Sequence, residues 1–232
     1  MKSVLYIIST PIGNLADISL RAIETLKSVD IVLCEDTRVS KKLLDHYFIK
    51  TRIYSFHQYS GDLKIEKVIT WLKEGKSLAL ISDAGTPSIS DPGARLVKAV
   101  REKLTDRVDI ISIPGPSALT AALSISGFSA DKFVFLGFLP NKKGRKKELE
   151  KIINYPFTVV LYESKHRLLK LLNELNFLEK EKELKIEIFL AKELTKKFEK
   201  SFVGRADELI EILNNNTSYI KGEFVLVLNI SK

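Results

Sequence analysis

Ser82-Asp83-Ala84-Gly85-Thr86-Pro87-Ser88-Ile89-Ser90-Asp91-Pro92-Gly93 separates two segments of opposite character. Before it, residues 78–81 form a short apolar run that reads as a buried parallel strand. After it, Leu96, Val97, Val100 and Leu104 recur at helical spacing and predict a helix over 94–104. Asp91 followed by Pro92 reads as the helix start, a carboxylate capping free N–H groups with proline at the first helical position. Glycine lets the backbone come close to a ligand, and proline fixes φ while offering no donor. A loop of this kind at the carboxyl end of a parallel strand is where open α/β sheets bind ligands. The plainer reading is an ordinary connection between strand and helix. Two further strand ends repeat the pattern: residues 4–9 run into Thr10-Pro11-Ile12-Gly13-Asn14, and residues 108–113 into Pro114-Gly115-Pro116-Ser117.

Outward from these loops, a helix is predicted over 17–28 with Leu20, Ile23, Leu26 and Val29 as its buried stripe. A strand at 31–34 ends in Glu35-Asp36-Thr37-Arg38, a short helix covers 41–46, and a strand at 52–56 ends in His57. Residues 62–74 are amphipathic, with Gly75 as the stop. Strands alternating with helices argue for a parallel sheet covered by helices on its faces. The texture changes near Gly127. Strands are expected at 133–138, 157–162, 186–191, 201–203 and 224–230, a leucine-rich helix to Leu175, a charged loop at 179–183 and a helix at 206–213. Fewer helices separate these strands, so the second sheet is expected to be mixed. The division is set at an N-terminal α/β domain, 1–114, and a C-terminal α/β domain, 115–232.

The bulk properties exclude several classes. The 232 residues are 45% hydrophobic, enough for a proper core, and the formal net charge of +8 points to a polyanionic partner, nucleic acid first. The single cysteine, Cys34, lies in an apolar strand, which excludes an internal disulfide and fits a reducing cytoplasm. Met1-Lys2-Ser3 leads straight into a strand without a signal-peptide pattern, and no apolar run approaches the ~20 residues of a membrane span. No G-x-G-x-x-G follows the first strand, and Gly75-Lys76-Ser77 has Thr70 where a phosphate-binding loop needs its earlier glycine. Gly115-Pro116-Ser117-Ala118-Leu119 lacks the last glycine of a nucleophile elbow. His46, His57 and His166 are scattered, so no metal site is expected. What remains are loops with few charges, suited to a ligand held by backbone groups and shape, such as a nucleoside with an amino-acid tail.

Ser9-Thr10-Pro11-Ile12-Gly13-Asn14-Leu15, Cys34-Glu35-Asp36-Thr37-Arg38, the stretch from Ser82 to Gly93, and Ile113-Pro114-Gly115-Pro116-Ser117-Ala118 together resemble the tetrapyrrole methylase superfamily. Within it the chain resembles the branch that 2′-O-methylates a cytidine ribose of 16S rRNA in the decoding centre of the small ribosomal subunit. Matches continue through Phe135-Leu136-Gly137-Phe138-Leu139-Pro140, Tyr162-Glu163-Ser164, His166-Arg167, Lys192-Glu193-Leu194-Thr195-Lys196 and Gly222-Glu223-Phe224. The resemblance implies the class III methyltransferase fold, two α/β domains with a mainly parallel first sheet and a mixed second sheet. It also implies S-adenosylmethionine in the cleft between the domains, and a homodimer. Pro11, Gly85, Thr86, Pro87, Ser88, Ile89, Ser117 and Ala118 are expected to line the cofactor site. Tyr162, Ala191 and Leu194 are expected to face it from the second domain. Asp83 has two readings, ligand contact or a clamp on backbone N–H groups. Two features depart from the family pattern: Lys165 stands where proline usually precedes the His-Arg pair, and longer members carry a helical segment beyond 224–230, which bears on RNA docking.

Methyl transfer from a sulfonium is mainly a matter of positioning, but a ribose hydroxyl benefits from a proton acceptor. Asp36, His57 and Glu193 are the candidates, with Arg38 expected to position a neighbouring phosphate. Against these stand structural readings: Asp36 and Arg38 as a mutual pair capping the next helix, and His57 as a satisfied loop histidine. Lys142, Lys143, Arg145, Lys146 and Lys147 are the expected RNA phosphate contacts, with His166 and Arg167 flanked by Lys165 and Lys170 as a second patch; the alternative is a solvated basic face. Phe135, Phe138, Tyr155 and Tyr162 read as core rather than stacking platforms. The competing functions are a small-molecule methyltransferase of the tetrapyrrole or diphthine type and a non-catalytic RNA-binding module.

Overall fold

Apolar runs on both faces of a strand demand helices on both faces of its sheet, and the first half of the chain answers that demand. The computed structural model describes residues 2–57, 60–90 and 93–231 and divides into two units, one ending at Ser117 and the other starting at Ala118. The first contains β1 (Ser3–Ile8), β2 (Ile31–Cys34), β3 (Arg52–Ser55), β4 (Leu78–Leu80) and β5 (Val108–Ile113), all parallel, in the order β3-β2-β4-β1-β5. Between them run α1 (Leu20–Ser28), α2 (Thr37–His46), α3 (Asp62–Lys73) and α4 (Ala94–Lys103). Period two decides which helix meets which side chain. Ile31, Leu33, Leu78 and Leu80 pack with Ile65, Ile69, Leu96 and Val100 of α3 and α4. Val32, Cys34 and Ala79 pack with Ala22, Leu26, Leu43 and Leu44 of α1 and α2.

The second unit runs α5 (Ala118–Ser126), β6 (Phe133–Phe138), α6 (Arg145–Ile152), β7 (Thr158–Ser164), α7 (Leu168–Glu181), β8 (Lys185–Lys192), β9 (Lys200–Gly204), α8 (Ala206–Asn215) and β10 (Glu223–Ser231). Its sheet has the order β6-β7-β10-β8-β9. Only the β6–β7 pair is parallel, so the sheet is mixed. One core joins Leu171, Leu172 and Leu175 of α7 and Leu209 and Leu213 of α8 to Val159, Leu161, Ile188, Leu190 and Leu226 of the strands.

Three expected helix boundaries move by three residues or more, and capping explains two of them. The Ser19 hydroxyl accepts the Ala22 N–H, so α1 starts at Leu20 rather than 17. Leu20 then sits on the outer face and is 79% exposed, not part of the buried stripe. Asp36 accepts the Arg38 N–H and starts α2 at Thr37, four residues early. The third is α7, which continues to Glu181 through what reads as charged loop, because Glu179 is a buried partner. Its Oε1 accepts from Arg205 Nε at 3.0 Å and from the Ile186 N–H at 3.2 Å. The expected cap of α4, Asp91 with Pro92, lies outside the described residues. No helix among the described residues is long and apolar enough to cross a membrane.

Candidate active site

The strand order makes β4, β1 and β5 neighbours, so the three proline- and glycine-bearing loops leave adjacent strand ends on one edge of the sheet. They are tied together there. Thr10 and Gly85 form an antiparallel bridge, the Thr10 N–H donating to the Gly85 carbonyl at 2.9 Å and the Gly85 N–H to the Thr10 carbonyl at 3.0 Å. The Thr10 hydroxyl donates to the Ser82 carbonyl at 3.0 Å. The Ser9 and Thr86 hydroxyls are 2.9 Å apart, and Thr86 Oγ1 donates to the Pro116 carbonyl at 3.4 Å. Gly85 has φ +79, and an added Cβ would meet only ordinary contacts, so backbone conformation and not space selects glycine here. Ser88 and Ser90 hold φ of +73 and +61, a strained conformation for non-glycine residues of the sort that collects at ligand loops. Pro11 and Pro87 are buried, Ile89 is exposed, and the Ser88 Oγ is buried without a hydrogen-bond partner among the described residues. Ser117 is half-buried at the end of this unit.

The other half of the same edge carries charge. Along β3, β2 and β4 the strand ends present His57, then Glu35 and Asp36, then Asp83. Asp83 Oδ1 accepts the Asp36 N–H at 3.1 Å, so it clamps the neighbouring strand end. Asp36 and Arg38 form the mutual pair: Nε to Oδ1 at 3.1 Å, Nη2 to Oδ2 at 2.7 Å, and the Arg38 N–H to Oδ1 at 2.8 Å. Hydrogen bonds from the Arg38 side chain and backbone draw the Asp36 carboxyl down to about 2. Glu35 moves the other way, because burial and the Asp83 charge raise it while His57 opposes them. The sequence offers Glu35 only as one member of a motif; its single signal there is the strand end it shares with Asp36.

In the second unit, strand register groups the residues expected at the cofactor. Val225 of β10 is paired with Tyr162 of β7 on one side and Ala191 of β8 on the other, so the three form one row on one face. The Tyr162 hydroxyl accepts the Leu119 N–H at 3.2 Å, joining this row to the start of α5 beside Ala118. Leu194 is buried in the turn after β8. Glu193 holds that turn: its N–H donates to the Glu223 carbonyl at 2.9 Å, and its Oε1 accepts from the Glu223 N–H at 2.9 Å and from Lys196 Nζ at 3.0 Å. Burial resists ionisation of Glu193, but the Glu223 N–H and the Lys196 ammonium outweigh it and keep the carboxyl below its ordinary range. Gly222 has φ +108, and a Cβ there would lie 2.5 Å from Glu193 Cγ, so the glycine is what lets the two segments meet.

The basic surface is smaller than the sequence suggests, because both of its arginines are engaged within the fold. Lys142, Lys143, Lys146 and Lys147 are exposed, as are Lys165, His166 and Lys170, but Arg145 is 4% exposed. Its Nε and Nη2 donate to Glu174 at 2.7–3.1 Å and its Nη1 to the Pro140 carbonyl at 3.1 Å, so it is a scaffold residue that cannot reach phosphate. Arg167 is half-buried and committed to Glu163 Oε1 at 2.7 Å and to the Leu139 carbonyl at 2.9 Å. Phe138, read as core, is 54% exposed with its ring against Tyr162. Among the described residues, no group of three or more His, Cys, Asp or Glu side chains is arranged to hold a metal.

Three comparisons with known proteins bear on this arrangement. The family model described as tetrapyrrole (corrin/porphyrin) methylases matches residues 4–210. A protein of Mycoplasmopsis pulmonis named ribosomal RNA small subunit methyltransferase I is 43% identical, the alignment covering 98% of each chain. One of the same name from Escherichia coli O157:H7 is 42% identical over 97% of this chain and 77% of its own. Among solved structures, the uroporphyrin-III-C-methyltransferase of Thermus thermophilus superposes with a TM-score of 0.63 at 17% identity, covering 97% of this chain and 94% of that one, a likeness of fold.

Proposed function

The chain belongs to the tetrapyrrole (corrin/porphyrin) methylase family, and from that premise we propose that it 2′-O-methylates a cytidine ribose of 16S rRNA in the small ribosomal subunit, with S-adenosylmethionine as donor. The observation that carries methyl transfer is the convergence of three weakly charged loops on adjacent parallel strand ends, tied through Thr10, Gly85, Thr86 and Pro116. The choice of substrate rests on the names of the relatives that align along nearly the whole chain.

The donor set of these loops fits a sulfonium nucleoside. It offers backbone N–H and carbonyl groups, the Ser9 and Thr86 hydroxyls, and a buried hydroxyl, Ser88 Oγ, with no partner among the described residues. A polyphosphate would call for the cations that these loops lack. When bound, S-adenosylmethionine supplies an electrophilic methyl; the chain's residues position and shield. Tyr162, Ala191 and Leu194 are the apolar contacts we assign on the second unit. The ribose proton goes to Glu35, whose basicity is raised by burial and Asp83 and whose charge is coupled to His57. Asp36, drawn down to about 2, and Glu193, engaged in its turn, are weaker acceptors. Arg38, whose side chain is 87% exposed, faces a neighbouring phosphate, and the exposed lysines of 142–147 contact others. An rRNA substrate puts the protein in the cytoplasm, and we propose a homodimer, for which sedimentation at the monomer mass would be the contrary result.

The test is methyl incorporation from labelled S-adenosylmethionine into small ribosomal subunits lacking the modification. Label in a cytidine ribose is the expected result. Label in uroporphyrinogen instead would favour a small-molecule methylase, and no calorimetric heat with S-adenosylmethionine would favour a non-catalytic RNA-binding module.

A further inference from the structure

The second unit carries a groove of about 740 Å³ between α6 and α7. It lies within the 300–1,000 Å³ typical of ligand sites. Its floor is apolar, built by Leu149 and Leu178. On its lip stands Phe177, 65% exposed although it is a large aromatic on a core-packed helix. Lys170, Asn173 and Phe177 follow one another at three- and four-residue spacing, so a cation, an amide and an aromatic ring share one face of α7. Lys142 and Lys146 supply the opposite wall. Around the rim Lys170 pairs with Glu174 at 3.9 Å and Lys146 with Glu150 at 4.0 Å, Glu174 is already neutralised by Arg145, and Glu181 completes the acidic lining.

We propose that this groove binds an unpaired nucleotide of the RNA substrate, its base stacked on Phe177, its edge within reach of the Asn173 amide, and its flanking phosphates on Lys142, Lys146 and Lys170. A nucleotide is the occupant whose chemistry matches all three features. Its π-face suits an exposed ring, its edge suits an amide, and its charge suits a basic rim. Buried Arg145 acquires a purpose here, since its bond to Glu174 joins α6 to α7 and fixes the width of the groove. The inference rests on the rRNA reading above and goes beyond it by giving the RNA a point of attachment on the second unit.

The experiment is fluorescence anisotropy of the intact chain with a labelled single-stranded RNA and with a duplex of the same length, no methyl donor present. Removing the stacking ring in Phe177→Ala is expected to weaken single-strand binding about tenfold, with Phe177→Tyr restoring it. The salt slope should stay unchanged in Phe177→Ala and flatten by about 0.7 in Lys170→Ala. Phe48→Ala, which removes an aromatic of 86% exposure from the first unit, serves as the control and should bind as the wild type does. Wild-type affinity in Phe177→Ala, equal weakening on single strand and duplex, or tighter binding of a poly-glutamate peptide than of RNA would overturn the proposal. Failure of the methylation reading is seen separately, in the label assay, because the binding measurement does not depend on methyl transfer.

Discussion

Arg145 gives the sharpest prediction, because its position in a run of basic residues suggests phosphate contact and its surroundings say otherwise. The perturbation is Arg145→Ala. Its side chain is 5% exposed, and its guanidinium holds both oxygens of Glu174 as well as the Pro140 carbonyl. Removing one partner of a buried pair typically costs about 3–5 kcal/mol, because the remaining charge is left without compensation. Here the low end applies. Glu174 is 26% exposed and can rehydrate, keeping Lys170 at 3.9 Å, while Glu163 retains Arg167 at 2.7 Å. A loss of about 3 kcal/mol in the second unit corresponds to a drop of roughly 12 °C in its melting temperature, taking about 4 °C per kcal/mol for a unit of this size. The assay is thermal unfolding by circular dichroism with Arg145→Ala, Glu174→Ala and the double variant. The double variant should lose less than the sum, since partners in contact couple by about 0.5–3 kcal/mol. The salt slope of RNA binding, measured well below the melting point, should stay that of the wild type in Arg145→Ala and flatten in Lys146→Ala, because a guanidinium held by Glu174 neutralises no phosphate. If Arg145→Ala melts within about 1 kcal/mol of the wild type, the buried-pair argument fails.

Four further outcomes are expected. Gly222→Ala forces a Cβ to 2.5 Å from Glu193 Cγ at φ +108 and should cost at least about 2 kcal/mol from strain and displacement of the turn; an unchanged urea midpoint would contradict this. Thr86→Arg places a long cation among the converging loops and should abolish the heat of S-adenosylmethionine binding with the far-ultraviolet spectrum intact, so retained affinity would move the site elsewhere. Glu35 has a raised pKa in the folded chain, so its ionised form is disfavoured by folding; Glu35→Gln should be more stable than the wild type at neutral pH, an advantage that fades as pH falls through the raised value towards 4.5. The same variant should lose most activity and, with it, the acid limb of the pH–rate profile, and an unaltered profile would exclude Glu35 as proton acceptor. Replacing Lys142, Lys143, Lys146 and Lys147 together by alanine should weaken RNA binding and flatten its salt dependence by about 0.7 for each phosphate no longer neutralised; an unchanged slope would reduce the loop to a solvated face.

The frame of this protein is written in its residue order. Alternating apolar strands and amphipathic helices specify the parallel sheet of the first unit, and the thinner supply of helices after Gly127 specifies the mixed sheet of the second. These patterns are local, set by the two- and 3.6-residue periods of burial. The loops that end β1, β4 and β5 are legible for the same reason, since glycine and proline constrain their own backbone. Helix starts are less so: Ser19 and Asp36 are visible as residues, but which N–H each accepts depends on the entry angle of the chain. The sharing of charges, by contrast, is settled by packing alone. Arg145 and Lys146 are adjacent in a basic run, yet one is buried on Glu174 and the other is open to solvent, because α7 brings a carboxylate to one face of α6 only. Glu179 reads as a solvated loop residue, but Arg205, 26 positions away, meets it in the fold. Glu35 and Asp36 are neighbours in the chain but opposite in protonation behaviour, since the strand order sets one beside Asp83 and His57 and the helix start gives the other to Arg38. An apolar side chain is placed by the average of its surroundings, which a local pattern encodes; a charge is placed by one partner at one distance, which only the folded chain supplies.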